Sequence, residues 1–238
     1  MAPGMTADQL VGYLVDASPS AHAMRSELHD WMAGSRRYRA FVEAHRDKIR
    51  KKLRGAGDAE ARRDVRAELR VAHLLLSDRR IELAFEPFGA STGGPDFTVT
   101  YRDHRAFNLE VTRRREGSRS GADAGALLAK LRQLPPSAAN VLLIAATDDR
   151  VDPLDVPASI ADLLARAAAK DDRPFIERGL DGTRGFHQHF LRLGAVVTWF
   201  EDRHSKPRAV RWINRSARIP VPEPAAAAVL ACLEAAPV

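Results

Sequence analysis

The sequence predicts an α/β protein, with a mixed central sheet flanked by helices and a helical N-terminal extension in front of it. Three observations carry that expectation. Residues 6–57 are mostly polar, with apolar residues recurring at helical spacing. Residues 81–112 contain three short runs that alternate apolar and polar at period two. Residues 140–146 form one continuous apolar run, the pattern of a strand covered on both faces. The expected domains are a helical extension over 1–57, a core over 58–150, and a C-terminal α/β extension over 151–238 packed on that core.

The 238 residues, 45% apolar and 29% charged, suit a globular protein able to bury a sizeable core. No apolar run approaches the roughly 18 residues a membrane span needs, and no secretory signal is visible. The single cysteine, Cys232, excludes an internal disulfide and a cysteine-based zinc site, and points to a cytoplasmic setting. The net charge of +6 allows a polyanionic partner.

The elements follow in order. Thr6 with Gln9 reads as a capping box opening a helix whose Leu10, Tyr13 and Leu14 share a face. Leu28 and Trp31 anchor the next helix. Ser35 opens a third, with Tyr38, Phe41 and Val42 inward and the cationic run Arg50, Lys51, Lys52 near its end. That run is either a solvated helix face or a patch for phosphates. A helix over 58–78 has the apolar stripe Ala61, Val65, Ala72, Leu75, and Glu68 falls inside the stripe. A carboxylate on a core-facing position requires a partner. An arginine such as Arg113 or Arg114 is one candidate.

Strands are expected over 81–86, 96–101 and 107–112. In the second, Asp96, Thr98 and Thr100 share a face; in the third, Asn108, Glu110 and Thr112 do. An odd hairpin loop, Asp103 to Arg105, sets Asp96 opposite Thr112 and Thr98 opposite Glu110, so both polar faces coincide. Residues 122–134 read as a helix with Leu127, Leu131 and Leu134 inward and Lys130 beside them, followed by the 140–146 strand. Helices over 157–169, 186–193 and 222–235 and strands over 195–200 and 209–214 complete the chain. His187 and His189 read as surface residues, Trp199 and Trp212 as packing, and Asp148 and Asp149 as a solvated strand end.

Glu68 in a helix, Pro95-Asp96 opening the second strand and Glu110-Val111-Thr112 within the third, in the order helix, three strands, helix, strand, resemble the PD-(D/E)XK nuclease superfamily. The resemblance covers about residues 58–146 and implies a restriction-endonuclease-like αβββαβ core. It implies a nuclease that hydrolyses phosphodiester bonds with Mg²⁺ or Mn²⁺, acting on nucleic acid, with DNA the favoured substrate. Asp96 and Glu110 would be metal ligands, the carbonyl of Val111 a further ligand, and Glu68 an auxiliary acid. Carboxylate oxygens suit a hard divalent cation that keeps several waters. Thr112 stands where the family has its lysine, so a cation from elsewhere, Lys130 foremost and Arg113 or Arg114 next, would take that role. Arg50, Lys51, Lys52, Arg113 and Arg114 are the expected nucleic-acid contacts, and a homodimer is among the states the superfamily uses. The alternative is a nuclease-like module without activity that binds nucleic acid or a protein partner; a third is an assembly protein in which the acids pair with arginines.

Overall fold

The computed structural model describes residues 4–18, 21–87, 94–114, 122–146, 155–201 and 206–235. The Gly-rich loop before Pro95, most of the basic loop after Arg114, and Asp148 and Asp149 lie outside the described residues. The chain divides into two compact units, Met1–Arg79 and Arg80–Val238. The boundaries expected at 57 and 150 fall inside these units. The 58–78 helix packs on the helix before it, and one sheet runs through the second boundary.

The first unit holds α1 (Ala7–Leu14), α2 (His22–Gly34), α3 (Arg36–Gly55) and α4 (Ala59–Leu75). The caps are those the sequence encodes. Thr6 accepts from the Gln9 N–H while Gln9 accepts from the Thr6 N–H, a reciprocal capping box. Ser35 caps α3 through the Tyr38 N–H, and Asp58 caps α4 through the Ala61 N–H. Tyr38 is fully buried, its ring edge-on to Trp31 and His73, and Trp31 stacks on His73. Burial drives the His73 imidazole below its ordinary pKa, with nearby Arg70 adding to the effect.

The second unit is a six-stranded mixed sheet: β1 (Ile81–Phe85), β2 (Phe97–Tyr101), β3 (Phe107–Arg113), β4 (Ala139–Ala146), β5 (Leu193–Glu201) and β6 (Pro207–Ile213), in that spatial order. β1, β2 and β3 form an antiparallel meander, β3, β4 and β5 run parallel, and β6 returns antiparallel. The later strands thus extend the same sheet. β4 has parallel neighbours on both sides and is buried along nearly its whole length, as its unbroken apolar run requires.

Helices α5 (Ala122–Leu131), α6 (Val156–Ala168), α7 (Arg173–Ile176) and α8 (Gly182–Phe190) and the final α9 (Glu223–Glu234) complete the unit. One face of the sheet offers Leu142, Ile144 and Val196, which pack with Leu127, Leu128, Leu131 and Leu134 of α5 and its following turn, Ile160 of α6 and Phe186 of α8. Each fully buried leucine contributes about 1.5–3 kcal/mol. The opposite face carries Trp199, whose indole N–H donates to the Leu233 carbonyl at the end of α9 (3.1 Å). Trp199 is buried and Trp212 partly so against Phe190, which makes both packing residues as expected. The short α7 has no counterpart in the periodicity, because its four residues span barely one turn.

Candidate active site

The site is built where β2 and β3 meet beneath α5. The register is Phe97↔Leu109, Thr98↔Asn108 and Val99↔Phe107. Asp96 lies just before the first residue of β2, and its carboxylate reaches the Val111 N–H of β3. The register corrects the expected pairing of Thr98 with Glu110 by two residues. The cause is an earlier reversal: Arg102 takes the left-handed conformation (φ 53°) and the His104 N–H closes a turn onto the Tyr101 carbonyl (3.1 Å). A shift of two preserves parity, so the polar faces still coincide. Thr98 donates its hydroxyl to the Asn108 side chain (3.0 Å), which fixes that shared face.

Asp96 and Glu110 are 8% and 3% exposed, so each carboxylate needs compensation. Asp96 Oδ2 accepts the backbone N–H of Val111 (2.9 Å). Glu110 Oε1 receives the ammonium of Lys130 (2.5 Å), which also reaches Gln133 Oε1 (3.3 Å). Helix α5 presents Lys130 here because Leu127, Leu131 and Leu134 bury the neighbouring stripe of the helix and its last turn. The expected substitute cation therefore does meet the second strand acid.

The backbone of Val111 adds a third oxygen. Within a strand, N–H and C=O of one residue point to the same side. The Arg114 N–H donates to Ala145 of β4, so Val111, three residues earlier, turns both groups toward β2. The ladder position there falls to Pro95, which has no N–H to give. The candidate donors are the Asp96 and Glu110 carboxylates and the Val111 carbonyl, all oxygen. That fits a hard divalent cation completing its shell with water and substrate. Among the described residues no group of three or more His, Cys, Asp or Glu is placed to hold a metal ion, so any such centre rests on this mixed set.

The remaining sequence candidates lie as follows. Glu68 is buried in the first unit, where its carboxylate pairs with Lys52 of α3 (2.5 Å). Arg50, Lys51 and Lys52 do not form one patch. Successive helical residues diverge by about 100°: Lys52 turns to Glu68, Lys51 is exposed, and Arg50 lies over the Tyr13 ring (4.2 Å). Arg113 is 6% exposed and falls on the other face of β3 from Glu110. Arg114 is half-buried on the Glu110 face. His187 is exposed, and His189 is half-buried with Nδ1 3.2 Å from the Leu131 carbonyl.

Sequence reasoning missed the support of the site. Asn108 Nδ2 donates to Asn140 Oδ1 (3.0 Å), and Asn140 Nδ2 lies 2.9 Å from the carbonyls of Pro135, Ala138 and Arg192. These bonds tie β3 and β4 to the turn that ends α5, the element that carries Lys130 and Gln133. The signal available was an asparagine inside each of two buried strands. Comparison with family models, curated proteins and solved structures gave no match for this chain.

Proposed function

We propose that the protein is a divalent-metal-dependent nuclease with a restriction-endonuclease-like core, hydrolysing phosphodiester bonds in nucleic acid, DNA in the first instance. One observation carries the reading: the buried Asp96 carboxylate is bonded to the Val111 N–H, one residue along β3 from the buried Glu110, and Lys130 from α5 meets Glu110 where the family's own lysine is replaced by Thr112. The order of a meander followed by a helix and a parallel strand supports it too.

Asp96, Glu110 and the Val111 carbonyl would hold the ion. When bound there, Mg²⁺ or Mn²⁺ would acidify a coordinated water and offset charge on the scissile phosphate. Lys130, held between Glu110 and Gln133, would orient that water and stabilise negative charge on the phosphate oxygens. The Val111 N–H holds the Asp96 carboxylate in place.

Calorimetric titration with Mn²⁺ is expected to show a saturable site in the wild type that Asp96→Ala and Glu110→Ala each lose. Plasmid nicking in Mn²⁺ should disappear in the same variants. Loss of an outer-sphere partner costs metal sites about 10–100-fold, so loss of a direct ligand should exceed that. Equal, negligible binding by wild type and variants would sink the reading. The 2.5 Å Lys130–Glu110 contact favours a second reading, a closed ion pair in a module that only binds nucleic acid or a protein. DNA binding that persists in both variants, with no cleavage by any form, would select it.

A further inference from the structure

The helical first unit contains a cleft of about 590 Å³ that plays no part in the acid site. Its volume falls in the range of small-molecule sites, about 300–1,000 Å³. The floor is apolar, from Leu14 and Val15 at the end of α1, Met24 of α2, Leu53 of α3 and Ala56 beyond it. The lining is otherwise dominated by arginines: Arg50 and Arg54 from α3, and Arg62, Arg63 and Arg66 from α4.

The charges are not internally balanced. Arg66 is engaged by both carboxylate oxygens of Glu27, and Arg63 by Glu60. The acid in the lining, Asp16, accepts the Ser18 N–H (3.0 Å) and draws electrostatically on Arg62. For Arg50 and Arg54 no carboxylate partner exists among the described residues. Arg50 is also held in place. Its guanidinium lies 4.2 Å over the Tyr13 ring, and the Tyr13 hydroxyl is fixed by Asp47 (2.5 Å). The Arg50 Nε is buried and has no hydrogen-bond acceptor among the described residues. A preorganised guanidinium with an unused buried donor, beside a second unpaired one, is suited to a phosphate or carboxylate head group. The apolar floor requires that the head carry a hydrophobic body.

We infer that this cleft binds a small organic phosphate, its phosphoryl oxygens on Arg50 and Arg54 and its apolar portion on Leu14, Met24, Leu53 and Ala56. The body is either an alkyl chain or a nucleoside, and the two are separable by the probe. Titration of the full chain with octyl phosphate and with adenosine monophosphate is expected to give saturable heat with at least one. The one that binds identifies the body. Arg54→Gln, at an exposed position, should weaken that binding by about tenfold or more, the value of one charge-assisted hydrogen bond. Arg50→Gln should do the same, and Arg50→Lys should not restore it, because an ammonium cannot reproduce the stacked fork. Circular dichroism of each variant separates loss of binding from loss of fold. No saturable binding of either probe, affinity unchanged in a folded Arg54→Gln, or inorganic phosphate binding as tightly as the organic probe would overturn the proposal.

Discussion

Two buried glutamates, one in each unit, meet a lysine at the same distance. Glu68 is bound by Lys52 and Glu110 by Lys130, each at 2.5 Å, and both carboxylates are nearly closed to solvent. What surrounds them differs. Glu68 bridges α4 to α3, and its neighbours along the helix are Ala67, Leu69 and Ala72. Glu110 lies one residue before Val111, whose N–H holds the buried Asp96 carboxylate, and its lysine is shared with Gln133. Burial and a lysine explain how a carboxylate survives inside a protein. The proposed function assigns a chemistry to Glu110 because the buried Asp96 carboxylate is bonded one residue along the same strand.

The sharpest way to break this contrast is to remove each lysine in turn. Lys130→Met should lower the cleavage rate by about 10²–10⁴-fold while Mn²⁺ still binds, since the ligands remain and the water loses its orienting cation. Lys52→Met should instead register in stability, costing about 1–3 kcal/mol in urea denaturation as Glu68 loses its partner. Comparable losses of activity in both variants would show that the two pairs are not distinct in kind.

A smaller effect tests the support beneath Lys130. Asn108→Leu strips Asn140 Oδ1 of its donor within the sheet, and about 1–3 kcal/mol of stability should go with it. Cleavage by the folded variant should fall through kcat rather than KM, because the turn after α5 loosens while the acids stay. Unchanged kcat would reduce the asparagines to plain packing.

The smallest effect is on pH. Burial depresses the folded-state pKa of His73, so the unfolded chain binds the extra proton. Its contribution is complete above the unfolded value of about 6.5 and is lost as pH falls through the folded value. His73→Phe should therefore flatten the dependence of Tm on pH between neutrality and about pH 5. An identical slope in wild type and variant would move the acid sensitivity to other groups.

Much of this was legible because it is local. Thr6, Ser35 and Asp58 announce helix starts through side chains that cap backbone a few residues away. The two faces of β2 and β3 follow from a period of two. The position of Glu110 under α5 follows from leucine spacing around Lys130. Register was harder, since it turns on one residue: Arg102 in the left-handed region moves the reversal towards β2, and arginine carries no signal for that conformation. Tertiary partners were harder still. Nothing in the run Arg50, Lys51, Lys52 says that its members separate to an aromatic ring, to solvent and to Glu68. Asn140 looked like the edge of an apolar run, and its carbonyl partners come from the turn after α5 and from Arg192.

That one side chain also bears on the order of assembly. Asn140 meets Asn108, 32 residues earlier, and the Arg192 carbonyl, 52 residues later. Both contacts belong to parallel pairings, which close long loops and lose chain entropy before any ladder rewards them. The β1–β2 and β5–β6 pairs, joined through shorter connections, can form and dissolve while this is pending. The Asn140 amide is satisfied on all sides only when both long closures are complete. A chain threaded with β4 in any other place would bury that amide with its partners missing.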